Sequence, residues 1–83
     1  MQIEQLKERG QIKKGDLLLI SDGKEIIQAK AEIVLVPIGL NREEIVFNKK
    51  KNLYFNVDMY LNGESWVKDV RIVRLHLCLI TSE

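Results

Sequence analysis

The feature that most limits what this chain can fold into is a period-two alternation of apolar residues, broken at short intervals by turn residues. From Glu25 to Val36, the residues Ile27, Ala29, Ala31, Ile33 and Leu35 fall on one side, and Gln28, Lys30 and Glu32 on the other. Successive side chains of a strand point to opposite faces. The spacing therefore predicts a half-buried strand, or two strands joined at a bend. Two alanines at the centre of the apolar side mark a close approach by another element, for which a helix at the amino terminus is one candidate. Pro37 is expected to end the strand, because it has no N–H for the ladder.

The same alternation recurs from Leu53 to Leu61. Leu53, Phe55, Val57, Met59 and Leu61 share one face, and Tyr54, Asn56, Asp58 and Tyr60 share the other. Asn62–Gly63 follows, and Asn-Gly is a strong signal for a two-residue hairpin turn. Such a turn sets Met59 opposite Trp66, Phe55 opposite Val70 and Leu53 opposite Ile72, apolar on apolar. On the outer face it sets Tyr60 opposite Ser65, Asn56 opposite Asp69, and Tyr54 opposite Arg71. Beyond Ile72 the apolar set shifts phase to Val73, Leu75, Leu77 and Leu79, as one extra residue in a β-bulge would produce.

Shorter signals fill in the rest. Ile3 and Leu6 stand at helical spacing before Gly10, which predicts a short helix over Met1–Arg9, or else a frayed arm. Lys13–Asp16 reads as a turn into the strand Leu17–Ile20, and Ser21–Lys24 as the next turn. Gly39–Glu43 reads as a loop, Glu44–Asn48 as a short strand, Lys49–Asn52 as a polar turn, and residues 81–83 as a tail.

Together these signals predict one domain over residues 1–83 with an all-β or β-rich fold. The expected form is a small antiparallel barrel of five to six strands, SH3-like or alternatively OB-like, with at most one short helix at the amino terminus. The Gly15–Asp16 entry into a hydrophobic strand resembles the opening of many SH3-like barrels. In 83 residues, Ile, Leu and Val account for 28, so the chain is far too apolar to be disordered. A β-domain this small sits near the lower size limit for independent stability. Pairing with a second copy would relieve that, and Leu75–Ile80, with apolar or semi-apolar residues on both faces near its end, is a candidate edge. No apolar stretch approaches the roughly 20 residues of a membrane span or the pattern of a signal peptide, so a cytoplasmic protein is expected.

Residues suited to catalysis are few. The single His76 and single Cys78 lie two apart on a predicted strand, about 7 Å from Cα to Cα, without an orienting partner. Glu43–Glu44, and the diagonal pair Asp58 and Asp69, read as solvated carboxylates. No catalytic residue, metal ligand, cofactor or small-molecule substrate is expected, and the chain is read as a non-enzyme.

Two binding readings remain. The first is a module that contacts a protein partner or a second copy of itself, as an accessory or inhibitor protein of bacterial or phage type would. It uses Tyr54, Tyr60, Trp66 and Arg71, since aromatic residues and Arg anchor interfaces. The second is single-stranded RNA or DNA binding by Lys49, Lys50, Lys51, Tyr54, Lys68 and Arg71, with Tyr60 as a further ring. Cations track phosphates and rings stack on bases. Thirteen basic against twelve acidic residues leave a net charge of +1, so any such site must be local.

Overall fold

A computed structural model describes residues 2–74. It contains seven strands and one short helix: β1 (Gln2–Gln5), β2 (Leu17–Ser21), β3 (Ile26–Lys30), β4 (Glu32–Ile38), β5 (Asn41–Asn48), β6 (Leu53–Asn56), α1 (Val57–Leu61) and β7 (Asp69–Arg74). They form two antiparallel sheets. The first has the order β1-β7-β2-β3 and the second β4-β5-β6.

The alternating segment from Glu25 is two strands joined at a bend. β3 ends at Lys30 and β4 begins at Glu32, in different sheets. Ala31, fully buried between them, gives its carbonyl to Gly15 N–H at 2.9 Å and its N–H to the Asp16 carbonyl at 2.8 Å. The element that approaches Ala31 is thus the Lys13–Asp16 turn, whereas Ala29 pairs with Leu18 of β2. Gly15 takes a φ of +90° there, which a side chain would strain.

The inner faces of the two sheets enclose the core. Leu18, Ile20, Val70 and Ile72 come from the first sheet, and Val46 and Phe55 from the second. Leu6 and Ile12, in the segment between β1 and β2, fill the space between them.

Several expectations are corrected. Residues 2–5 form a strand, not a helix, paired with β7 from Gln2↔Arg74 to Gln5↔Arg71. Tertiary pairing wins because a helix of so few residues cannot sustain itself. Pro37 does not end β4, which runs on to Ile38. The Gly39–Leu40 link is a two-residue turn with Gly39 at φ +62° and Leu40 at negative φ, the pattern of a type II′ hairpin. Ile38 and Asn41 are then the hydrogen-bonded pair, and alternation turns the ring nitrogen of Pro37 to the free edge, where no donor is missed. β5 accordingly extends back to Asn41, through the expected loop.

The expected hairpin at Asn62–Gly63 is also absent. β6 stops at Asn56 and α1 follows. Asn56 caps the helix, its side-chain oxygen accepting Met59 N–H at 3.1 Å. Gly63, at φ +78°, donates to the Tyr60 carbonyl at 3.0 Å, and Glu64 to the Met59 carbonyl at 2.8 Å. Those two bonds form a Schellman helix end. Phe55 therefore pairs with Val46 rather than Val70, and Met59 does not face Trp66 across a ladder.

No bulge interrupts β7 between Asp69 and Arg74. Its register with β2 is continuous from Val73↔Leu17 to Asp69↔Ser21. Ile72 is buried on the inner face, and Val73 is covered on the outer face in a row with Ile3 and Leu17. The phase shift in the sequence is a central strand with apolar neighbours on both faces. The predicted strand Leu75–Ile80, with His76 and Cys78, lies outside the described residues.

Candidate functional site

The Lys49–Asn52 turn joins β5 to β6 with Asn48 opposite Leu53. Its shape is fixed by hydrogen bonds. Asn52 N–H reaches the Lys49 carbonyl at 3.2 Å, and Asn52 takes a φ of +50°, which asparagine tolerates better than most residues. The Asn48 side chain accepts Lys51 N–H at 3.0 Å and donates to the Lys30 carbonyl at 2.9 Å. One asparagine thus ties the turn to the end of β3, so Lys49, Lys50 and Lys51 project from an anchored backbone beside Lys30.

A cleft of about 750 Å³ opens at this junction. Leu17, Ala29 and Phe47 give it apolar surface, Gln28 and Asn48 neutral polar surface, and Lys30, Lys49, Lys50 and Lys51 its charge. Glu32 is the one acidic residue among those that line it. A smaller hollow of about 300 Å³ adjoins it, lined in part by Phe47, Lys49 and Tyr54. Among the described residues the ion pairs are Arg9–Asp58, Arg71–Asp69, Arg74–Glu4 and Arg74–Asp16. The four lysines of the cleft take part in none of them.

Phe47 and Tyr54 stand directly opposite each other on the outer face of the second sheet. Tyr54 is 70% exposed. Trp66, 46% exposed, donates its indole N–H to the Tyr54 carbonyl at 3.0 Å, which covers part of the free edge of β6.

The structure brings together only some of the residues singled out from sequence. Tyr54 and Trp66 are neighbours. Tyr60 is not on an outer face: its ring meets Phe55 edge-on at 6.4 Å, and its hydroxyl accepts Val70 N–H at 3.2 Å. Once the chain turns helical at Val57, the period changes from two to 3.6, and Val57 and Tyr60 share the inward side. Arg71 does not oppose Tyr54. It pairs with Leu19 in the first sheet and holds Asp69 at 3.1 Å. Lys68 donates its backbone N–H to the Ser21 carbonyl, at the end of that sheet away from Lys30. Asp58 and Asp69 are likewise apart. Asp58 lies in α1 and meets Arg9 at 3.2 Å, while Asp69 lies in β7.

Lys30 and Phe47 are site residues that the sequence pattern did not single out. For Phe47 the signal was present: a four-residue turn between Asn48 and Leu53 sets it opposite Tyr54. For Lys30 there was none, because the bend at Ala31 is what brings it to the turn.

Elsewhere, Glu44 is a buried carboxylate, 5% exposed, that accepts Gly10 N–H at 3.3 Å. Asp22, in the turn after β2, accepts the N–H groups of Glu25 and Lys24, which hold its carboxyl below the usual range. Among the described residues, no group of three His, Cys, Asp or Glu lies close enough to share a metal ion, and no helix is long and apolar enough to cross a membrane. Comparison of the chain with protein families, curated proteins and solved structures finds no match.

Proposed function

We propose that this protein is a non-enzymatic, cytoplasmic binding module on a small SH3-like barrel, and that it acts by self-association through β4. The barrel reading is supported by the strand sequence. β2, the bent pair β3–β4, β5 and β6 follow one another, a single helical turn comes next, and β7 returns beside β2.

The observation that carries the functional reading is the free edge of β4. Val34, Leu35 and Ile38 are about half exposed, and Leu40 at the hairpin tip is fully so. Among the described residues, no hydrogen bond outside the pairing with β5 reaches the backbone of residues 33–37. A soluble protein ordinarily blunts such an edge with charge, proline, a bulge or a cover. β4 carries one charge, Glu32, at its start and one proline, Pro37, near its end, which leaves the apolar stretch from Ile33 to Val36 between them.

The edge is complementary to itself. With a two-fold axis at Leu35, the two Leu35 residues exchange N–H···O bonds and Ile33 donates to the Pro37 carbonyl of the second copy. Val34 then lies opposite Val36, and no like charges meet. Pro37 serves only as an acceptor, so each Ile33 carbonyl lacks its ladder donor and is left for water at the end of the paired segment.

Light scattering on the eluting 83-residue chain is expected to give about twice the monomer mass at roughly 100 µM, within the affinity range of interfaces at the small end of the size scale. Leu35→Glu, which puts like charges at the axis, should give the monomer mass with an unchanged far-ultraviolet spectrum. A wild-type chain that elutes as a monomer at that concentration would overturn the reading.

A further inference from the structure

A separate surface carries a second inference. We propose that the cleft between the Lys49–Lys51 turn and the bend at Lys30 binds single-stranded nucleic acid. The lysines would hold phosphates, and Tyr54, with Phe47 beside it, would stack on bases.

Four observations converge on this. Among the described residues the cations are unpaired: four lysines border one cleft and none meets a carboxylate, whereas Arg9, Arg71 and Arg74 are each engaged. Lysine is a compact point charge that suits a phosphate without demanding one geometry. The turn is pinned by Asn48, so little backbone freedom is lost when the charges engage a ligand. The cleft is open on one side, with a volume in the range of small-molecule pockets, so a nucleotide can lie in it with its strand continuing into solvent.

The fourth observation distinguishes nucleic acid from an acidic protein surface. Phe47 and Tyr54 are register partners across β5 and β6 next to the cations, and Tyr54 is 70% exposed. Phe47 and Lys49 line both the cleft and the adjoining hollow, so charge and ring surface continue from Lys30 to Tyr54. An acidic peptide needs the charges only, whereas a single strand uses both, because every base has a face that stacks. Glu32 opposes phosphate and sets a limit on affinity.

The site differs from the one the sequence suggested. It gains Lys30 and Phe47, and it loses Lys68, Arg71 and Tyr60.

The test is fluorescence anisotropy of a labelled oligo(U) or oligo(dT) of about twelve nucleotides, within the site sizes of small barrels, titrated with the full chain. Four phosphate contacts at a slope of about −0.7 each predict roughly 50-fold weaker binding at 200 mM than at 50 mM salt. The triple variant Lys49→Gln, Lys50→Gln, Lys51→Gln should reduce that slope to about −0.7. Tyr54→Ala, at an exposed position, should weaken binding by at least about five-fold, and Glu32→Gln should tighten it.

Two results overturn the proposal. One is no anisotropy change at 50 mM salt and high protein concentration. The other is displacement by polyglutamate as effective as by unlabelled oligonucleotide, with Tyr54→Ala neutral, which would assign the cleft to an acidic protein.

Discussion

Arg74 ties together segments that are distant in the chain. Its guanidinium meets Glu4 of β1 at 3.2 Å, Asp16 before β2 at 3.3 Å, and the Gln11 carbonyl. The side chain is about one-third exposed, so solvent screens part of the gain. Arg74→Ala should cost about 1–2 kcal/mol in urea denaturation, since a planar fork shared among oxygen acceptors exceeds an ordinary surface pair. Arg74→Lys should recover less than half, because an ammonium cannot span the same oxygens. A loss below about 0.5 kcal/mol, typical of a surface substitution, would show that the three segments hold together without Arg74. Residues were legible from sequence where the local period was right. Tyr54 was expected on the outer face and is 70% exposed there. Tyr60 was misplaced because the period changes three residues before it.

α1 shows how one motif can serve two elements. Asn62–Gly63 suits a hairpin because such a turn needs positive φ, and it suits a helix end for the same reason. The decision lies upstream. Asn56 is a good N-cap, and a helix from Val57 buries Val57 and Tyr60 against Phe55, while a strand would have needed an inner face for Met59 and Leu61. Asn56→Ala should cost about 1 kcal/mol, with the chemical-shift changes concentrated in residues 56–63. Changes spread instead through β6 and β5 would mean that Asn56 acts mainly through its bond to Glu43. β4 carries the corresponding lesson for strands. Proline stops a strand only where its nitrogen would face a partner, and that depends on which edge is free.

At the scale of the molecule, the two proposed surfaces lie apart. The free edge of β4 centres on Leu35, whereas the lysine cleft meets β4 only at Glu32, beside the bend. Leu35→Glu should therefore leave oligonucleotide affinity within about two-fold of a single wild-type site, in the range over which distant sites add independently. A larger loss would mean that the cleft is completed by the second copy. The sequence alone determined the β-rich class, most strand cores, and the turns at Lys13–Asp16 and Lys49–Asn52, while it left open whether residues 25–36 form one strand or two joined at a bend. Those follow from alternation and local turn chemistry, which act over a few residues. Tertiary structure decided that residues 2–5 are a strand, that Tyr60 turns inward, and that Lys30 joins the lysine turn. It also decided that Arg71 pairs with Leu19 and that Lys68 meets Ser21, at the end of the first sheet away from Lys30. Each of those depends on which distant segment supplies the partner, and neither period nor propensity carries that information.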